Sequence, residues 1–172
     1  MSEPRWTARD ETVAVVQIVT PRIDLLRLRA PGAATLDALA TMLGNRLPET
    51  PNQAVGNDPR AYCLAPGDWM VVRDDVHGAP AWSLPPEELA HVANVTDGRV
   101  VFTVSGAGAA NLLASGTSLD LHPRVFPDGA MGQTLFAQIR VLVERVGADS
   151  FRLFADASLA AYLRRWFEDA IR

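Results

Sequence analysis

The sequence repeats its own order of elements, and this restricts the available folds more than any motif in it. Shifting the chain by 76 residues lays "APGAATL" (30–36) over "GAGAANL" (106–112). In the first half, "LLRLRA" (25–30) alternates Leu26 and Leu28 with Arg27 and Arg29, the period of a half-buried strand. Pro31 then suits a first helical position. Leu36, Leu39, Ala40 and Leu43 form an apolar stripe, and Gly44 a stop. Seventeen residues without a period follow (44–60). Next, "AYCLAPGDWMVV" reads as two short strands around a Pro66-Gly67-Asp68 turn. A helix from about Pro85, led by Glu87 and Glu88, closes the half and carries His91.

The second half has the same plan. Val100, Phe102 and Val104 mark a strand, "GAGAANLLASG" a short helix, and 117–132 an irregular loop. Leu135, Ala137, Ile139, Val141 and Val143 alternate as one long strand. A turn at 147–150 leads to Phe151, Leu153 and Ala155. Asp156 is placed to cap a final helix with the stripe Leu159, Leu163, Trp166 and Ala170. The expectation is an α+β fold: duplicated β-α-β-β-α units, with helices packed on antiparallel sheets. Residues 1–172 form one domain with pseudo-repeat halves at about 23–93 and 98–171, and residues 1–12 are extended or flexible.

Composition narrows the chemistry. All sixteen basic residues are Arg, scattered in a chain of net charge −4, which argues against nucleic acid as a partner. Without lysine there is no Schiff-base chemistry and no Walker A loop. Cys63 and three separated histidines, His77, His91 and His122, give no zinc spacing. "MSEPRWTARDE" has no apolar run of the secretory kind, and no stretch is long enough to span a bilayer. A lone cysteine suits the cytoplasm.

Several segments invite a functional reading. "VVFTVSGAGAAN" begins like a dinucleotide-binding turn, but Asn111 stands at the third glycine position and no second parallel strand follows. Small residues that let a helix pack on its sheet are the favoured reading. In "LASGTSLDLHPRVFPDG" (113–129), alternation puts Asp120 and His122 on one side, near Ser115, Thr117 and Ser118. A hydroxyl–imidazole–carboxylate site is conceivable there. The same pair could instead brace a corner before Pro123 by bonding loop backbone, and this structural or interface role is preferred. Cys63 reads as buried and inert. Arg164 and Arg165 read as a solvated helix face. Irregular connections as long as 44–60 and 117–132 tend to be functional. The second contains Leu119, Leu121, Val125, Phe126 and Met131, side chains that must bury in this chain or in another; Trp6 and Trp82 pose the same question.

"LASGTSLDLHPRVFPDGAMGQTLFAQIRVLV" and "FRLFADASLAAYLRRWFEDA" together resemble the gamma subunit family of heterotetrameric sarcosine oxidase. "SLDLHP", "FP-x-G", "QTL" and "S-x-x-x-YL-x-x-W" carry the resemblance, with "LAPGDWMVV" upstream. It covers residues 25–171 and is strongest beyond 113. "SGTS" at 115–118 departs from it, where many relatives place a cysteine after the glycine. The resemblance implies a fold similar to the folate-binding domain of glycine-cleavage aminomethyltransferase. It also implies a non-catalytic chain docked on alpha and beta large subunits, with flavins, NAD, folate and zinc on partner subunits and none here. The complex would convert sarcosine to glycine and hydrogen peroxide, passing the one-carbon unit to tetrahydrofolate. Asp120, Leu121, His122, Arg124 and Phe126 would then form a loop meeting a neighbouring subunit. Two rivals are a free-standing folate-binding aminomethyltransferase-like protein, gripping the pterin through Asp120 or Asp97, and a small hydrolase using a hydroxyl near His122.

Overall fold

The computed structural model describes residues 5–74, 82, 84 and 89–172. The chain forms two compact units, Pro21–Thr96 and Met1–Thr20 with Asp97–Arg172. Their boundaries fall close to the halves set by the repeat, but the N-terminal residues join the second unit.

Strands β1 (Trp6–Arg9) and β2 (Ala14–Gln17) form a hairpin closed by Asp10. The first-half unit runs β3 (Arg22–Leu28), α1 (Ala33–Leu43), β4 (Ala54–Val55), β5 (Arg60–Ala65), β6 (Asp68–Arg73) and β7 (Ala90–Asn94). The second runs β8 (Arg99–Ser105), α2 (Ala109–Ala114), β9 (Met131–Phe136), β10 (Ile139–Gly147), β11 (Ser150–Asp156) and α3 (Ala160–Ala170). All pairings among the described strands are antiparallel. The sheet orders are β4-β5-β6-β3-β7 and β1-β2-β8-β11-β10-β9.

The duplication is therefore real at the level of topology. Aligning β3 on β8 sets α1 on α2, β4 on β9, β5 on β10 and β6 on β11. The two central hairpins even share an irregularity. The β5–β6 register slips between Cys63 and Ala65, and the β10–β11 register between Arg145 and Gly147, each just before the turn.

One face of each sheet forms a core with helix residues of its own unit, and side chains of the opposite face, Ile23, Tyr62, Met70 and Val72 in the first sheet and Val101, Leu142 and Phe154 in the second, are buried as well. Leu26, Leu28, Leu39, Leu43, Cys63, Trp69 and Val71 make the first core. The second gathers Val15, Phe102, Leu113, Phe136, Phe151, Leu163 and Phe167. In its aromatic centre Phe136 meets Trp166 edge-on at 4.6 Å and lies tilted against Phe167 at 5.5 Å.

Gly44 ends α1 in the left-handed region (φ 69°), as its position suggests. Gly67 turns between β5 and β6 at φ 79°, where a Cβ would stand 2.5 Å from the Leu28 carbonyl oxygen.

Four expectations change. The long strand 135–143 is a hairpin, turning at Ala137 and Gln138, both at positive φ (48° and 69°). That geometry normally calls for Asn-Gly, so no turn signal is written here. Tertiary bonds hold it instead: Ala137 N–H donates to the Gly116 carbonyl (2.8 Å), and the Tyr162 hydroxyl donates to the Ala137 carbonyl (2.9 Å). His91 lies on strand β7, not on a helix, because pairing with β3 overrides local preference. Asp156 makes no side-chain cap for the final helix; its carboxylate accepts from Arg99 at 2.8 Å. In α3 the buried positions are Leu163 and Phe167, with Trp166 packed beside them and Ala170 exposed. The helix start at Pro85 to Glu88, and His77, lie outside the described residues.

Candidate functional site

The loop between α2 and β9 is built on a charged residue in phase with the core-facing Val141 and Val143 of β10. Arg145 on β10 is 2% exposed. Its Nη2 donates to the Leu121 carbonyl (2.5 Å), Nε to the Phe126 carbonyl (2.7 Å), and Nη1 to the Ala148 carbonyl. The guanidinium lies 4.5 Å from the Phe151 ring centroid. Its backbone pairs with the same loop: Gly129 N–H donates to the Arg145 carbonyl (2.8 Å), and Arg145 N–H to the Ala130 carbonyl (2.9 Å).

Above this frame the loop closes on itself. The Asp120 carboxylate accepts from His122 N–H (2.9 Å), and His122 Nδ1 accepts from Arg124 N–H (3.3 Å). The His122 carbonyl accepts from the N–H groups of Val125 (2.9 Å) and Phe126 (2.8 Å). Each polar side chain satisfies backbone groups that an irregular segment leaves open.

This arrangement does not assemble a base and nucleophile. Asp120 bonds main chain, not the imidazole ring, and Nδ1 is already engaged by main chain. The Ser115 hydroxyl donates to the Leu112 carbonyl (2.7 Å), and Thr117 shares a hydrogen bond with Thr134 (2.9 Å). The geometry matches the corner-bracing role.

The five loop residues separate by direction. Leu121 and Phe126 are buried in the second core, whereas Asp120, His122 and Arg124 are exposed. Leu121 and Phe126 thus anchor the loop in its own unit rather than offering side chains to a neighbour. The apolar side chain that faces outward is Val125, 64% exposed. Trp6 and Trp82 also find partners in their own units. Trp6 packs edge-on to Phe102 at 6.0 Å and donates to Glu168 (3.1 Å). Trp82 packs on the first core and donates to Asp24 (3.1 Å).

The other candidates resolve similarly. Gly106, at φ 112°, and Gly108 make room for Thr12: Gly108 N–H donates to the Thr12 carbonyl (3.0 Å), and a Cβ on Gly108 would lie 2.7 Å from the Thr12 hydroxyl. That space is filled by the β1–β2 turn, and β8 has antiparallel neighbours on both sides, so no dinucleotide turn forms. Cys63 is fully buried; burial pushes its thiol up, and Asp68 adds to the rise. Arg165 pairs with Asp169 on exposed helix surface. Among the described residues no three His, Cys, Asp or Glu side chains cluster as metal ligands. No described helix is long and apolar enough to cross a membrane.

A polar cluster in the first unit went unread in the sequence. Asp24 is 1% exposed and accepts from Arg22 (3.0 Å), Trp82 and Asn94 (3.0 Å). Beside it Arg73, 5% exposed, lies 5.2 Å from the Trp82 ring, with Nε and Nη2 lacking a hydrogen-bond partner among the described residues. The only sequence signal was an acid inside a strand. A cavity of about 410 Å³ in this unit is lined by Leu36, Asp37, Arg46, Glu49, Pro66 and Trp69, among others. Neither Asp97 nor Asp120 lines it.

The model of the sarcosine oxidase gamma subunit family matches residues 28–172. The chain is 30% identical over 156 residues to the sarcosine oxidase subunit gamma of Corynebacterium sp. (strain U-96), covering 85% of this chain and 74% of that one. The corresponding subunit of Arthrobacter sp. is 27% identical over 145 residues, covering 82% and 71%. Among solved structures, a chain of heterotetrameric sarcosine oxidase from Corynebacterium sp. U-96 superposes with a TM-score of 0.81 at 26% identity, covering 95% of this chain and 86% of that one. Glycine cleavage system aminomethyltransferase T from Bartonella henselae shares the fold (TM-score 0.62, 14% identity, 91% of this chain and 45% of that one). By the family match and the relatives alike, the chain belongs to the sarcosine oxidase gamma subunit family.

Proposed function

We propose that the chain is the non-catalytic gamma subunit of a sarcosine-oxidase-type heterotetramer, docked on the alpha and beta large subunits in the cytoplasm. The assembly demethylates sarcosine to glycine and transfers the one-carbon unit to tetrahydrofolate. Flavins, NAD, folate and zinc sit on the partner subunits. The family match across residues 28–172 carries this reading. The loop geometry supports it, since Asp120 and His122 are committed to backbone.

In this reading the loop contributes contact through Asp120, His122, Arg124 and Val125, while Leu121, Phe126 and Arg145 hold it rigid. A preformed loop loses little entropy on docking, which favours affinity. Co-expression with the large subunits should yield a stoichiometric complex on a sizing column, and Val125→Asp should weaken it about tenfold. Separation of the unaltered chain from the large subunits would refute the reading.

The free-standing folate-binding alternative has the 410 Å³ cavity in its favour. Titration of the isolated chain with tetrahydrofolate, followed by tryptophan fluorescence, separates the two, because Trp69 lines that cavity. No saturable quenching is expected.

A further inference from the structure

We infer that the outer edge of β7 is a docking seat for an extended strand of a partner subunit; this rests on the gamma-subunit reading above. The internal repeat supplies a filled counterpart of this edge. With β3 laid on β8, Val92, paired with Leu26, occupies the place of Gln17, paired with Phe102. Ala90, paired with Leu28, likewise occupies the place of Val15, paired with Val104. In the second-half sheet, β1 lies beyond Gln17 and Val15, with Trp6 and Ala8 opposite them. In the first-half sheet β7 is the edge, and among the described residues nothing occupies the position of β1.

The hydrogen-bond phase identifies the open groups. Arg29 N–H donates to the Leu89 carbonyl (3.0 Å), and Val95 N–H to the Ile23 carbonyl (2.9 Å). Odd-numbered residues of β7 therefore face β3, and the N–H and C=O groups of Ala90, Val92 and Asn94 face away from it. The stretch Leu89–Val95 has no Lys, Arg, Asp, Glu or Pro to guard the edge, and Leu89 is 68% exposed.

The seat's counterpart defines its occupant: an antiparallel strand with a large apolar side chain opposite Val92, where Trp6 stands in the filled sheet. A second copy pairing through β7 offers no aromatic for that place.

Amide hydrogen exchange, measured on the isolated chain and on its complex with the large subunits, tests the seat directly. Ala90, Val92 and Asn94 should exchange fast in the isolated chain and slow on assembly by on the order of a hundredfold. Ala90→Pro removes one outward donor without touching the β3 ladder, and should weaken assembly about tenfold. Ala90→Val, which keeps that donor, should assemble as the unaltered chain does. A complex in which these amides stay fast overturns the proposal and leaves the subunit reading standing. Slow exchange in an isolated chain that runs as a dimer assigns the edge to a second copy and also overturns it. Failure of the unaltered chain to assemble removes the subunit reading and the seat together. The exchange measurement holds even if Ala90→Pro misfolds.

Discussion

Arg145 directs a buried guanidinium at the carbonyls of Leu121, Phe126 and Ala148, while Arg73, also buried, leaves Nε and Nη2 without acceptors among the described residues. Removing one side of a satisfied buried set strands the other, whereas removing an unsatisfied charge relieves it. Arg145→Met should therefore cost about 3 kcal/mol in urea unfolding and loosen residues 120–130. Arg73→Met should cost under about 1 kcal/mol or raise stability, since burial already holds that guanidinium below its usual range. Asp10 gives a pH test. Its carboxylate accepts from Thr12 N–H (2.6 Å), the Thr12 hydroxyl (2.9 Å) and Val13 N–H (2.8 Å). These bonds hold it below the ordinary value of 3.8, the Thr12 backbone bond first. A depressed carboxylate stabilises the fold above its unfolded pKa, and this contribution fades as pH falls through the lowered folded value. An NMR titration should show the β1–β2 turn loosening only in that acid window, and Asp10→Asn should flatten the response.

At the scale of elements, the α2–β9 connection is held at its start by close packing. A Cβ on Gly116 would come within 2.5 Å of the Phe136 ring, itself wedged against Trp166 and Phe167. Gly116→Ala should therefore cost about 1–3 kcal/mol by forcing the ring out of place, readable as a lower Tm and altered near-UV circular dichroism. Helix α1, the β5–β6 hairpin and the capping Gly44 were legible in the sequence because their signals are local: an apolar stripe, Pro-Gly-Asp, and a glycine at the stop. The β9–β10 turn was not, because Ala137 and Gln138 have no intrinsic preference for positive φ; the Gly116 carbonyl and the Tyr162 hydroxyl, remote in sequence, stabilise it. Strand β7 was misread as helix for a related reason. Its residues carry weak preferences, and the neighbouring β3 decides.

At the scale of the whole molecule, the sequence by itself determined the duplicated α+β plan, the family and the thin catalytic inventory. These follow from periodicity, element order and residue types, all carried by the chain in one dimension. Tertiary structure alone decided which polar residues are structural. Asp120 and His122 are adjacent in any reading of the letters, but only the folded loop aims them at main chain. Arg145 falls in phase with the inward Val141 and Val143, and only the folded loop supplies the carbonyls that its buried guanidinium meets. The assignment of β2 to the second-half sheet and of β7 to the edge of the first was also invisible in sequence. Strand pairing depends on hydrogen-bonding partners dozens of residues away, and no local preference encodes them.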